Sequence, residues 1–271
     1  MSSWIADYRI VRPLGDGDGE SNALLARAPA RLGGTEVVLH LLEPGGPPGS
    51  SVRLTAASTH LLAVAGACAA HVAGLIEMGQ GDRDGKVTAY VATEYRGDGS
   101  LVDAASLDPH TVLSALAGAA RGAHELHEAG LAHGDIRPAT ILVTPAGGAL
   151  TAPLPPGTTE PGRTAMADPP KRLETVDPAV LRGDKPSRAS DVWALGAAAH
   201  RAVTGRSLHP QLETDDPLTA ARRALLEPPV IDPGLSPDRS ELIAGCVHPD
   251  PGRRPVSAAA VADAFDALAR A

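Results

Sequence analysis

The chain has 271 residues, enough for one large domain or two small lobes with a sizeable core. Its 32 acidic and 24 basic residues give a formal charge of −8, which repels a phosphate backbone and excludes nucleic-acid binding as the main role. The two cysteines, Cys68 and Cys246, have no metal-type spacing and imply no disulfide framework. They fit a reducing compartment, and with no signal-peptide pattern at the start a cytoplasmic location is expected.

The first third reads as strands. Tyr8 to Leu14 alternates and runs into a Gly-rich turn, Gly15-Asp16-Gly17-Asp18-Gly19. Ala23 to Ala28 and Glu36 to Leu42 are apolar runs of strand length, and Glu43 to Ser51 reads as a Gly/Pro loop. Leu54 to Ile76 carries no formal charge and is long enough to span a bilayer. It also contains His60, His71, Ser58 and Thr59, so the expectation is a buried helix over Leu54 to Ala70 leading into a strand, not a membrane span. Leu75 to Met78 and Val87 to Glu94 read as strands around a turn at Gly81 to Gly85, with a hinge at Glu94 to Gly99.

The remainder reads as helices. One starts at Asp108-Pro109, shows an apolar stripe of Val112, Leu113, Leu116 and Ala120, and stops at Gly130. Pro153 to Pro178 is Pro-rich and largely irregular. Ser190 to Val203 is a helix closed by Gly205, and Asp238 to Val247 and Ser257 to Ala269 supply two more.

Leu131-Ala-His-Gly-Asp-Ile-Arg-Pro-Ala-Thr-Ile-Leu-Val143 resembles the catalytic loop of the protein kinases, whose pattern is H-R-D-x-K-P-x-N-I-L. Ser190-Asp-Val-Trp-Ala-Leu-Gly196 is similar to the S-D-x-W-S-L-G helix start of that family, and Asp250-Pro-Gly-Arg-Arg-Pro255 to its D-P-x-x-R-P. Leu14-Gly-Asp-Gly stands where its Gly-rich loop belongs. Four motifs in the right order, over nearly the whole chain, resemble the bacterial eukaryotic-like (Hanks-type) Ser/Thr kinases. The resemblance implies an α+β, bilobed protein-kinase-like fold, with a strand-rich N-lobe over 1–95 and a helical C-lobe over 96–271.

The residues that move phosphate in that family are mostly replaced. Gly15, Gly17 and Glu94, with Gly19, hold nucleotide-cleft positions, but Asp16, Asp18 and Glu20 put acid in the loop. A like-charge pair at 4 Å costs about 4 kcal/mol at an effective dielectric of 20. Val37-Val-Leu-His-Leu41 matches the strand pattern V-A-I-K, placing His40 where the family has lysine, and no lysine precedes Lys86. Either His40 is a ligand or it is a neutral strand histidine. Arg27 and Arg31 are the other cations of that region. No Asp or Glu lies between Glu43 and Glu77, so the helix glutamate is missing. Asp135 keeps the position of the base, beside Arg137 for the family lysine and Gly134 for its arginine. Thr140 replaces the metal-binding Asn, and Leu150 to Pro155 replaces D-F-G, with no acid between Asp135 and Glu160.

The positions that hold the fold survive. His133, Asp191, Trp193 and Arg254 are expected to be structural. The glutamate that normally pairs with the late arginine aligns with Ala179, leaving Asp177 to take its place against Arg254. The expectation is a degenerate kinase, a pseudokinase that regulates or scaffolds by binding a protein, such as an active kinase or another signalling protein. It requires no cofactor and no metal. Thr158, Thr159, Thr164 and Thr175 fall in the activation segment as candidate phosphosites. An atypical Ser/Thr kinase using ATP and Mg²⁺ is the first alternative. A small-molecule phosphotransferase, suggested by His133-Gly-Asp135, is the second.

Overall fold

The computed structural model describes residues 4–14, 23–42, 70–96, 99–154, 173–210 and 216–271. These separate into two compact units: 4–14, 23–42, 73–95 and 154 in one, and the remaining described residues in the other. The architecture is mixed, with a strand-rich amino-terminal sheet and a helical remainder. Gly15, Gly17, Gly19, residues 54–69 of the helix expected over 54–70, and Thr158, Thr159 and Thr164 lie outside the described residues.

The first unit is a six-stranded antiparallel sheet in the order β1-β2-β3-β4-β6-β5. Its strands are β1 (Trp4–Ile5), β2 (Tyr8–Leu14), β3 (Ala23–Arg27), β4 (Glu36–Leu42), β5 (Leu75–Arg83) and β6 (Lys86–Glu94). Side chains alternate across a strand. Val37, Leu39 and Leu41 therefore share a buried face with Leu24, Ala26, Tyr90 and Ala92, while Val38 and His40 point the other way. Tyr8 packs edge-on against Tyr90, with ring centroids 5.4 Å apart. The β1–β2 corner lies close to β5: a Cβ on Gly81 would sit 2.5 Å from the Ala6 nitrogen.

The expected turn at Gly81 to Gly85 is shorter in the structure. Strand pairing continues through Gly81 and Asp82 to Arg83, and only Asp84 (φ 54°) and Gly85 (φ 80°) turn the chain. Asp-Gly supplies the two positive-φ residues that a tight hairpin needs, and Asp82 adds a carboxylate oxygen 3.0 Å from the Gly85 N–H.

The second unit is built on α1 (Pro109–Glu128), α2 (Pro178–Leu181), α3 (Arg188–Thr204), α4 (Pro217–Leu226), α5 (Pro237–Cys246) and α6 (Ala258–Arg270). The expected stripe Val112, Leu113, Leu116 and Ala120 is buried against Leu195, Ile243, Val261 and Phe265, among others. Helix starts are set by local chemistry. Asp108 accepts from the Thr111 N–H and hydroxyl at the start of α1, and Ser187 and Ser190 form a reciprocal capping box on α3. Gly205, at φ 70°, ends α3.

A two-stranded hairpin, β7 (Ile141–Thr144) and β8 (Gly147–Leu150), lies on α1. It approaches closely because both contact positions lack a Cβ. A Cβ on Gly118 would fall 2.2 Å from the Gly148 carbonyl oxygen, and one on Gly148 would fall 2.1 Å from that of Ala115. Backbone cannot swing aside like a side-chain tip, so Gly118→Val is expected to destabilise the fold by about 3 kcal/mol. A urea-unfolding midpoint within error of wild type would refute that. The hairpin, β1 and α4 have no counterpart in the sequence reading. Among the described residues no helix is long and apolar enough to cross a membrane.

Candidate functional site

The loop after α1 is shaped by one buried carboxylate. The Ser187 cap starts α3 so that Asp191, in its first turn, faces residues 133–134. Asp191 Oδ2 accepts from the His133 N–H at 2.8 Å, and Oδ1 from the Gly134 N–H at 2.9 Å. His127 Nε2 lies 2.8 Å from Oδ2, and both of these side chains are 1% exposed. Gly134 has φ 73°, a left-handed conformation that suits glycine, and it packs against Pro186.

His133 reads out the geometry below it. Its Nδ1 accepts the Asp135 N–H at 3.2 Å, so that nitrogen is bare; Nε2 therefore carries the proton and donates to the Thr151 carbonyl at 3.0 Å. Burial holds the His133 pKa below the ordinary histidine value, against the opposing pull of Asp191 and Asp135. The ring is thus a neutral strut that ties the loop to the strand exit at Thr151.

Asp135, on top of this strut, is 46% exposed, with Arg137 Nε 3.2 Å from its Oδ1. Thr140 is turned inward. Its hydroxyl donates towards the carbonyls of Asp135 (2.7 Å) and Arg137 (3.0 Å) and accepts the Arg137 N–H at 3.0 Å. One hydroxyl so occupied has little left to offer a metal. Beyond Thr151 the chain continues as Ala152 and Pro153, with no oxygen-bearing side chain. Among the described residues no group of three or more His, Cys, Asp or Glu is placed to hold a metal ion. The loop residues do not fit a Mg²⁺ ion, which takes oxygen ligands and usually one or two carboxylates.

In the first unit, His40 stands on β4 with Nε2 3.2 Å from the Thr93 hydroxyl. Burial pushes its pKa down to about 4, so at neutral pH it offers no charge to a phosphate. Arg31 does not serve as a free cation either: it forms a bidentate pair with Glu77 (2.7 and 3.0 Å), and Tyr90 donates to the same carboxylate at 3.2 Å. The Arg31 guanidinium holds the Glu77 pKa down at about 2. Arg27 is exposed at the end of β3. Glu94 closes β6, with its backbone N–H on the Gly74 carbonyl (2.8 Å) and its carboxylate on the Gly74 N–H (3.2 Å).

Burial lowers the pKa of His200 and His209 as well. A histidine with a depressed folded pKa binds fewer protons than it does in the unfolded chain. Stability should therefore fall as pH drops from about 6.5 to about 4; buried Glu174, with its pKa raised, acts in the opposite sense. His40 alone should account for on the order of 2 kcal/mol by pH 4, discounted for its partial exposure. His40→Gln should flatten the slope of stability against pH in that window. An unchanged slope would count against the buried neutral ring.

The second unit also fixes the late arginine. Arg254 donates to Asp177 Oδ2 (2.5 Å) and Oδ1 (3.3 Å), to the Ala189 carbonyl (2.8 Å) and to the His248 carbonyl (2.9 Å). Its guanidinium lies 5.0 Å from the centre of the Trp193 ring. Thr175, two residues before Asp177, is buried, which withdraws it from a modifying enzyme in this conformation. The sequence reading overlooked His127 and the pairing of Arg31 with Glu77. His127 had a visible signal, since it lies about two turns beyond Ala120 on the apolar stripe of α1.

Comparison with known proteins gives no matching family model. Among curated relatives, the Serine/threonine-protein kinase PknA of Mycobacterium tuberculosis is 32% identical over 150 residues, covering 52% of this chain and 33% of PknA. The Serine/threonine-protein kinases drp72 of Corynebacterium efficiens is 28% identical over 189 residues, covering 64% and 34%. The Serine/threonine-protein kinase PkaB of Streptomyces coelicolor is 26% identical over 163 residues, covering 55% and 37%. The chain spans about a third of the length of the curated relatives it matches. Those relatives are bacterial Ser/Thr protein kinases, which supports a kinase-like protein.

Proposed function

We propose that the chain is a degenerate Hanks-type kinase, with a strand-rich lobe over 1–95 and a helical lobe over 96–271, that works by binding a protein and not by transferring phosphate. The observation that carries this reading is the state of the loop after α1. Its backbone is fully braced by Asp191 and His133, yet the Thr140 hydroxyl is consumed inside the loop and Asp135 is engaged by Arg137. The neutral His40 supports it independently. Metal neutralisation contributes several kcal/mol to a phosphoryl-transfer transition state, and each ~1.4 kcal/mol is tenfold in rate. Losing both the metal ligands and the lysine charge leaves a folded loop with little means of catalysis. Fold alone does not restore that function.

The second reading, an atypical Ser/Thr kinase, draws on the exposed Asp135 and on the names of the relatives. Melting of the chain with ATP or ADP, each with Mg²⁺, Mn²⁺ or EDTA, separates the two. A specific nucleotide at 100 times its Kd would stabilise the fold by about 2.7 kcal/mol, or ~5–10 °C at this size. The pseudokinase reading expects no metal-dependent shift and no phosphate transfer. A metal-dependent shift, with transfer abolished by Asp135→Asn, would replace it with the kinase.

A further inference from the structure

The sheet of the first unit gathers arginine on one face. Directly paired residues of antiparallel strands point the same way, with Cβ atoms about 5 Å apart. The register Trp4↔Arg9, Arg9↔Arg27 and Arg27↔Glu36 therefore forms one row across β1, β2, β3 and β4. All four side chains are exposed, Trp4 by 50%. A bulge between Ile10 and Arg12 slips the register by one residue, so Arg12 stands opposite Leu25 and joins Arg9 and Arg27 on the same face. Without the slip Val11 would take that place. Like charges set directly opposite destabilise a sheet. Here Arg9 faces Arg27, and among the described residues no carboxylate, Glu36 included, forms an ion pair with Arg9, Arg12 or Arg27. Arg12 only donates to the neighbouring Pro13 carbonyl, at 3.4 Å.

We propose that this face binds a phosphorylated Ser or Thr of a partner protein, with the phosphate held between Arg9 and Arg27 and the flanking peptide lying on Trp4. A phosphate monoester brings a charge of about −1.5 to −2 and three acceptor oxygens, which suits two forked guanidinium groups at once. A single carboxylate would leave one of the two arginines uncompensated. The half-exposed indole, one strand from Arg9, adds a flat apolar contact for the peptide. An anionic membrane fits less well, because three cations bring little attraction to a chain whose net charge is −8. A second copy of the chain brings the same −8 to the contact. The inference rests on the protein-binding reading above and names the modification that the partner carries.

The test measures retention, on the full chain, of degenerate peptide pools whose fixed central residue is phosphothreonine, aspartate or threonine. The phosphothreonine pool should be retained at least tenfold over either of the others. Arg9→Ser/Arg27→Thr should abolish that preference while the melting temperature stays unchanged or rises slightly, because the like-charge pair is gone. Arginines that merely held the fold would lower it on removal. Arg27→Thr alone gives the same reading if the double variant folds poorly, and Trp4→Ser should weaken the retained peptides several-fold. Three results would overturn the proposal: no preference for phosphothreonine, or one that survives the arginine variants; variant-sensitive binding to vesicles of phosphatidylcholine with phosphatidylglycerol; or a concentration-dependent dimer that the variants abolish. Nucleotide-dependent phosphate transfer would sink the pseudokinase reading while leaving phosphopeptide retention untouched, so the two failures remain distinct.

Discussion

Asp177→Ala is expected to cost about 3–5 kcal/mol, because it leaves the Arg254 guanidinium buried without its counter-charge. The arginine is 1% exposed and the aspartate 3%, so water cannot replace the missing partner without opening the structure. The aspartate also caps α2 by accepting the Ala179 N–H at 2.9 Å, which adds to the loss. Arg254→Lys should cost nearly as much as Arg254→Ala. A single ammonium cannot reach two carboxylate oxygens and the carbonyls of Ala189 and His248 from one position, nor lie flat over Trp193. The double variant Asp177→Ala/Arg254→Met removes both charges and should recover much of the loss. Urea unfolding of wild type, Asp177→Ala, Arg254→Met and the double variant as a cycle measures the coupling. A coupling below about 0.5 kcal/mol would mean that the pair is incidental.

What the sequence made legible follows from how much of each signal is local. Helix α1 was readable because Asp108-Pro109, the stripe at 112, 113, 116 and 120, and Gly130 agree over twenty residues. The strand β2 was readable from its alternation over seven residues, and β3 and β4 because their apolar runs have strand length. By contrast β1, with two residues, is too short to alternate, and the β7–β8 hairpin depends on Gly118 and Gly148, which meet only in three dimensions. α4 hid behind its composition: its buried face is alanine and its exposed face carries leucine, the reverse of the usual contrast. In the site, identity could be read from motif spacing, so Asp135, Asp191 and Arg254 were all singled out. Engagement could not. No spacing rule shows that the Thr140 hydroxyl turns into its own loop, or that Arg31 is bound to Glu77 across 46 residues.

Asp191→Ala tests why that loop persists. The substitution strips the acceptors from two backbone N–H groups, those of His133 and Gly134, and removes the carboxylate beside the buried His127. An orphaned buried donor costs about 1–3 kcal/mol; this applies to the His133 N–H and to His127, while the Gly134 N–H is nearer solvent, so a total of about 2–5 kcal/mol is expected. Asp191→Asn should fall between: its carbonyl still accepts one N–H, while its amide sets a donor against the other. Hydrogen exchange gives the local readout, with the amides of His133 and Gly134 losing protection before the core of α1 does. A change below about 1 kcal/mol in Asp191→Ala, or unaltered exchange at those amides, would show that the loop holds its shape without the brace. If the brace is as strong as its geometry indicates, the chain devotes a large share of a typical 5–15 kcal/mol of folding stability to fixing a loop in which the kinase resemblance puts Thr140, and not Asn, at a metal-ligand position. A loop shape held at such a cost agrees with the proposed role in protein binding.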